Sequence, residues 1–282
     1  MSNAMVLNSS NVVANSGKSS YEYRFIQGNF KIQPGSTMAV RSVILPYSWF
    51  NVSVRNGNTT FDYYWVNGVG YTVTLTDGFY LVSDLNNALQ LSLIANGLYL
   101  IDSNGDNVYY LEIVEDSNLY ANQILQYIVP LSLPAGYTAP SNIAAGFYPT
   151  PTSIAPYLSI TTTAFGSLLG FPIGTYPLTY PTASGSVTST ITPNLTPVNS
   201  IIMRCNLINN STIMPSDIMD SFTFQDTTFG SNGVYEPKYQ SKVGLKSGTY
   251  SSFVITFVDQ NLNPIYMNDS NVLITLLYEE AD

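Results

Sequence analysis

Phe253-Val254-Ile255-Thr256-Phe257-Val258 and Val272-Leu273-Ile274-Thr275-Leu276-Leu277-Tyr278, joined through the polar loop that begins Asp259-Gln260-Asn261, are the stretches that decide the fold class. Each alternates with period two, the spacing that sends successive side chains to opposite faces of a strand. In the first, Phe253, Ile255 and Phe257 share one face and Val254, Thr256 and Val258 the other. In the second, Val272, Ile274, Leu276 and Tyr278 oppose Leu273, Thr275 and Leu277. Both faces are largely apolar, so both strands need cover on two sides. A sandwich core covers one side; a neighbouring subunit or an inserted domain covers the other.

Further strand-like runs lie just upstream, at residues 201–208, 217–225 and 242–246. Near the other end, Tyr21, Tyr23 and Phe25 alternate with Glu22 and Arg24. A second run, 37–45, follows the Pro34-Gly35 turn and stops at Pro46, and Trp49-Phe50 begins another extended piece. Residues 1–20 are rich in Ser and Asn and read as a flexible arm. Within them Ser2-Asn3-Ala4 reads as a cloning remnant, with Met5 as the native start. Three strands before residue 56 and five after 198 total about eight, the number a jelly roll needs. The expectation is an all-β chain. Its single jelly-roll sandwich comes from residues 21–55 plus 199–282, and residues 56–198 form a large inserted β-rich domain with one short helix.

Inside the insertion, 61–66 and 71–76 flank Asn67-Gly68. The helix follows: Ser83 suits an N-cap and Asp84 the first turn. Leu85, Ala88, Leu89 and Leu93 fall on one face, and Asn96-Gly97 is a natural stop. Residues 98–101 and 108–114 flank Asn104-Gly105, the signal of a type I′ hairpin, and 119–129 continues the β pattern. Residues 130–198, rich in Pro, Thr, Ser, Ala and Gly, read as long loops. In them Phe165-Gly166-Ser167-Leu168-Leu169-Gly170-Phe171 is an apolar turn that pins the loops to the body.

Composition removes several functions. Only 10% of residues are charged, against roughly 25% in an average soluble protein. Such a surface is poorly protected against association. The net charge is −9, with nine basic residues that never occur in a run. Phosphate binding needs clustered Lys and Arg, so neither nucleic acid nor an anionic membrane is an expected partner. The absence of histidine removes the usual general base, zinc ligand and pH switch. Cys205 alone cannot make a disulfide within the chain, and a reducing intracellular compartment suits it. No apolar run reaches the length of a membrane span, and the N-terminus lacks signal-peptide features.

Motif-like strings have simpler explanations. Gly17-Lys18-Ser19 lacks the glycine that a phosphate loop places five residues before its Gly-Lys pair; Val12 stands there. Asp102-Ser103-Asn104-Gly105-Asp106 puts Gly fourth where a calcium loop needs it sixth, and Ile113 twelfth where it needs Glu. Glu112, Glu115, Asp116 and Asp226 are candidate glycosidase carboxylates only by residue type. Asn8, Asn51, Asn58, Asn194 and Asn268 head sequons that chance supplies in such a composition. No catalytic, cofactor-binding or metal residue is assigned, and the chain is not expected to be an enzyme.

One family resemblance emerges. Leu245-Lys246-Ser247-Gly248-Thr249-Tyr250-Ser251-Ser252 running into Phe253–Asp259, then Asn263-Pro264-Ile265 and Asn271-Val272-Leu273-Ile274, resembles the end of the penton (minor capsid) proteins of virophages and polinton-like viruses. Val43-Ile44-Leu45-Pro46-Tyr47-Ser48-Trp49-Phe50-Asn51 near the start is similar to that group, as are Asp77-Gly78-Phe79-Tyr80 before the helix and Leu169-Gly170-Phe171 later. The features keep their order over most of the chain, and mavirus-like virophages are the nearest group. The resemblance implies a vertical jelly roll, a homopentamer at the capsid vertex of an icosahedral double-stranded DNA virus or virophage, and contact with trimers of a double-jelly-roll major capsid protein. It implies a virion protein assembled inside the host cell, with an outward-facing insertion open to a host-surface receptor, and no catalytic residues. The alternative reading is a jelly-roll carbohydrate- or receptor-binding module whose tyrosines stack on sugars.

Overall fold

The strand Leu273–Glu279 pairs antiparallel with Ser2–Asn8 on one side and with Thr37–Pro46 on the other. That pairing is one part of a rolled hairpin of eight strands: Ser2–Asn8, Ser20–Arg24, Thr37–Pro46, Ile201–Cys205, Ile218–Phe222, Asn232–Tyr235, Ser252–Asp259 and Leu273–Glu279. Counted in that order, first pairs with eighth, second with seventh, third with sixth and fourth with fifth. Rolling then joins eighth to third and seventh to fourth. The result is two four-stranded sheets in the orders 1-8-3-6 and 2-7-4-5, the topology of a jelly roll. Val243–Gly244 adds to the third strand beside the sixth, and Phe30–Ile32 pairs with Gly248–Tyr250.

The structure, a computed structural model, describes residues 2–224 and 227–281. The chain divides into two compact units, Met1–Phe50 with Val198–Asp282, and Asn51–Pro197. In the first, the core lies between the two sheets. Phe253, Ile255 and Phe257 face Ile274, Leu276 and Tyr278 there, with Val43, Leu45, Met203 and Cys205. Burying each Phe or Leu contributes about 1.5–3 kcal/mol. Tyr23 stacks on Phe253 at 5.1 Å, and Tyr21 meets Phe257 edge-on at 6.1 Å.

The arm expected over residues 1–20 is a correction. Ser2–Asn8 is the first strand, and it buries Met5 and Leu7 in the core. Its polar composition hides the strand; seven residues of ladder along Leu273–Glu279 supply what propensity lacks. Trp49-Phe50, read as the start of a strand, forms none. Asn232–Tyr235 was not foreseen, and the run at 242–246 shrinks to Val243–Gly244. The expected 217–225 strand is seen as Ile218–Phe222, and its last residue, Gln225, lies outside the described residues.

The second unit has its own core. One sheet runs Gly174–Tyr176, Tyr157–Ile160, Thr60–Tyr64, Gly70–Thr74, and another runs Gly185–Thr188, Ala121–Gln126, Leu111–Asp116. The helix Val82–Ala95 buries Val82, Leu85, Leu89 and Leu93. Its N-cap is Leu81 rather than Ser83, because the Asp84 carboxylate at the third helical position accepts the Leu81 N–H at 2.8 Å. The apolar turn at 165–171 is a second helix, Thr163–Leu169. Thr162 Oγ1 caps it by accepting the Phe165 N–H at 3.2 Å, and Gly170 ends it at φ 86°. Phe165 stacks on Phe61 at 4.8 Å. The unit therefore holds two helices, not one.

Candidate assembly face

The two outer faces of the jelly roll differ in chemistry. On the 2-7-4-5 sheet the charges neutralise one another. Arg24 Nη2 lies 2.9 Å from Glu22 Oε2, and Arg204 grips Asp217 through two nitrogens, Nε to Oδ1 at 3.1 Å and Nη2 to Oδ2 at 2.8 Å. The 1-8-3-6 sheet presents three uncharged rows across its strands: Ala4 and Leu277, ending at a buried Ala39; Val6, Thr275, Ser42; Leu273, Ile44, Val234. Val6 is 49% exposed, Leu273 38% and Val234 58%. Arg41 sits at the bulge opposite Thr275 and Leu276, and the Lys242–Glu279 ion pair, 2.6 Å, marks the rim.

That contrast has an energetic meaning. Covering a charged face requires stripping water from ions, which costs several kcal/mol per ion. Covering the three uncharged rows strips no ion of water and removes apolar area, provided that Arg41 at the bulge keeps its hydration at the edge of the contact. Of the two outer faces, the 1-8-3-6 face is thus the one suited to a permanent partner. The two-sided apolar pattern of 272–278 pointed toward it. Ala4 and Val6 were missed because their strand was; the short apolar run Met5-Val6-Leu7 was the available signal.

The chemical candidates do not assemble into a site. Glu112 and Asp116 lie four residues apart on one strand, about 13 Å at the usual rise per residue, beyond the reach of either glycosidase geometry. Glu115 points to the other face. Glu112 accepts from the Tyr127 hydroxyl at 3.3 Å, and Asp116 Oδ2 from Gln123 Nε2 at 2.7 Å. Asp226 lies outside the described residues. Asp102 Oδ1 is committed to its own loop, accepting the N–H groups of Asn104 and Asp106 at 2.8 and 2.9 Å. The hydrogen bonds from Asp106 and Asn104 hold its carboxyl below the usual range. The loop is not type I′: Gly105 has φ 89°, but Asn104 does not enter the left-handed region, which that turn requires of both residues. Lys18 donates its ammonium to the Asn268 carbonyl within a turn that closes on Tyr266. Among the described residues no group of three metal-ligating side chains forms, and no helix is long and apolar enough to cross a membrane.

The sequons separate into two kinds. Asn51 and Asn58 are 2% and 4% exposed and serve as internal hydrogen-bonding groups. Asn8, Asn194 and Asn268 are exposed. Cys205 is buried, which pushes its thiol up to about 11.

Burial also raises the phenols of Tyr110, Tyr180 and Tyr235 to about 12, and that of Tyr21 further. A raised folded-state pKa favours the neutral phenol in the fold, so this stability is full below the unfolded-state value, about 10 for Tyr, and falls as pH climbs toward the folded-state value. With no histidine to titrate, the denaturant midpoint should be level from about pH 6 to 8 and decline above it, first through buried Cys205 and then through the tyrosines. A step near pH 6.5 would contradict this account.

No family model matches the sequence, and no curated protein does. Solved structures do align with it. A mavirus penton protein matches along the whole chain. It covers 100% of this chain and 99% of its own, at 10% identity and a TM-score of 0.46. A chain from the structure of the Sputnik virophage covers 99% and 98%, at 13% identity and a TM-score of 0.35. At these identities and scores neither alignment transfers a role.

Proposed function

We propose that this chain is a structural capsid protein, the subunit of a pentameric vertex in an icosahedral double-stranded DNA virus or virophage. The observation that carries the reading is the set of three uncharged rows on the outer face of the 1-8-3-6 sheet, on a jelly roll whose other outer face settles its charges internally. A closed ring of five needs a heterologous contact, one surface of each copy against a different surface of the next, and this face supplies one half. The penton-like order of sequence features supports the same role. It names trimers of a double-jelly-roll major capsid protein as the second partner, the capsid vertex as the location, and the host cell as the place of assembly. The reading assigns the chain no catalysis and no cofactor.

Native mass spectrometry and electron microscopy, with and without the major capsid protein, test it. Rings of five are expected, or monomers that join particles only beside that protein. Val234→Lys should leave the unfolding free energy within about 0.5 kcal/mol of wild type, since the site is exposed. It should strongly reduce assembly, because a lysine would be desolvated in the contact. A stable dimer indifferent to the major capsid protein would overturn the reading, as would assembly that tolerates the lysine.

A further inference from the structure

The outer face of the sheet Gly174–Tyr176, Tyr157–Ile160, Thr60–Tyr64, Gly70–Thr74 is unlike either face of the jelly roll. Its inner side chains, among them Phe61, Tyr63, Leu158 and Ile160, belong to the core of the second unit. Outward, Tyr64 stands opposite Tyr157 in register, and their rings stack at 4.9 Å and 15°. Tyr180 meets Tyr157 edge-on at 4.8 Å and is anchored by donating its hydroxyl to the Trp65 carbonyl at 2.9 Å. On the other flank Tyr64 pairs with Gly70, where a Cβ would come within 2.8 Å of the ring. The glycine lets the aromatic surface lean across the neighbouring strand.

The next register pair is polar. Asp62 faces Ser159, and Thr72 donates its hydroxyl to Asp62 Oδ1 at 2.6 Å. Among the described residues, Asp62 Oδ2 and the hydroxyls of Tyr64 and Ser159 make no hydrogen bond. No aliphatic side chain interrupts these two rows.

We propose that this face binds neutral carbohydrate. A pyranose ring offers an apolar C–H face to aromatic rings and a rim of hydroxyls to carboxylates and alcohols. Partly exposed tyrosines beside a carboxylate with a free oxygen match both halves. The charge balance selects the sugar class: between Asn51 and Pro197 Arg55 is the only basic residue, against eight acidic ones. Sialylated or sulfated glycans would be repelled. Stacked tyrosines on adjacent strands also stabilise a sheet without any ligand, so the experiment must read binding and stability separately.

The full-length chain is applied to an array of neutral, sialylated and sulfated glycans, and the best neutral glycan is titrated by NMR. Retention of neutral glycans is expected. Asp62→Asn, which keeps the side-chain shape, should weaken binding about tenfold or more with an unchanged melting midpoint, as loss of a charge-assisted hydrogen bond predicts. Tyr157→Ala should abolish it. The proposal is overturned by retention of no glycan, by retention of anionic glycans only, or by binding that neither substitution alters. Any of these would leave the vertex reading standing, because ring formation is measured separately.

Discussion

Replacing Asn51 by Leu is expected to destabilise the Asn51–Pro197 unit by about 3–5 kcal/mol. Asn51 is almost fully buried, and its amide serves three backbone groups. Nδ2 donates to the carbonyls of Tyr80 and Leu195 at 2.8 and 2.9 Å, and Oδ1 accepts the Tyr80 N–H at 2.8 Å. One side chain thus ties the first residue of the unit to the lead-in of its long helix and to a segment near its end. Leucine fills a similar volume but leaves three polar groups unpaired, each worth about 1–3 kcal/mol where water cannot replace the partner. Asn51→Asp should be comparably severe, since it turns a donor toward two carbonyls into an acceptor. Equilibrium denaturation of the full chain measures the effect, and a loss under about 1 kcal/mol would mean that water reaches these groups.

Gly97→Ala should cost about 3–5 kcal/mol, whereas Gly105→Ala should cost only about 1 kcal/mol. Both glycines adopt left-handed backbone, φ 66° and φ 89°, so both substitutions carry the same conformational cost. They differ in surroundings. At Gly105 nothing lies within 4 Å of the added carbon, but at Gly97 it would come within 1.9 Å of the Asn142 carbonyl oxygen. That segment cannot easily retreat. Ala144 N–H donates to the Gly97 carbonyl at 3.0 Å and Asn142 Nδ2 to the Ile94 carbonyl at 2.9 Å. The clash must be relieved by moving the helix end or breaking these bonds. Equal melting midpoints for the two variants would show that the backbone conformation alone sets the cost.

Gly97 also shows the limits of reading sequence. Asn96-Gly97 after an apolar helical face announces a helix stop, and the helix ends there. The approach of residue 142 announces nothing, because it is set by packing between segments far apart in the chain. The second helix is a milder case. Thr162, Phe165, Leu168 and Gly170 carry a cap, an apolar face and a left-handed stop, but seven residues between proline-rich loops are too few for periodicity to declare itself. The Ser2–Asn8 strand is the reverse: local composition argues against it, and pairing with Leu273–Glu279 imposes it.

The candidate face was half legible. Alternation in 272–278 said that a second apolar side existed and needed cover. It could not say that the opposite sheet would be the self-neutralised one, because the pairing of Arg204 with Asp217 joins residues whose proximity depends on the turn between two strands. Likewise the sequons at Asn51 and Asn194 look alike in the chain, yet one is an internal tie and the other lies at the surface.

By itself, then, the amino-acid order determined the β class, the one long helix, the scarcity of charge and the absence of histidine chemistry. These rest on composition and on periods of two and 3.6 residues, which act locally. Tertiary structure alone decided the eighth-to-first strand pairing, the uncharged rows of Ala4, Val6 and Leu273 with their neighbours, and the stacked Tyr64–Tyr157 face. Each depends on register between strands distant in sequence, and a shift of one residue would turn every one of those side chains to the opposite side of its sheet.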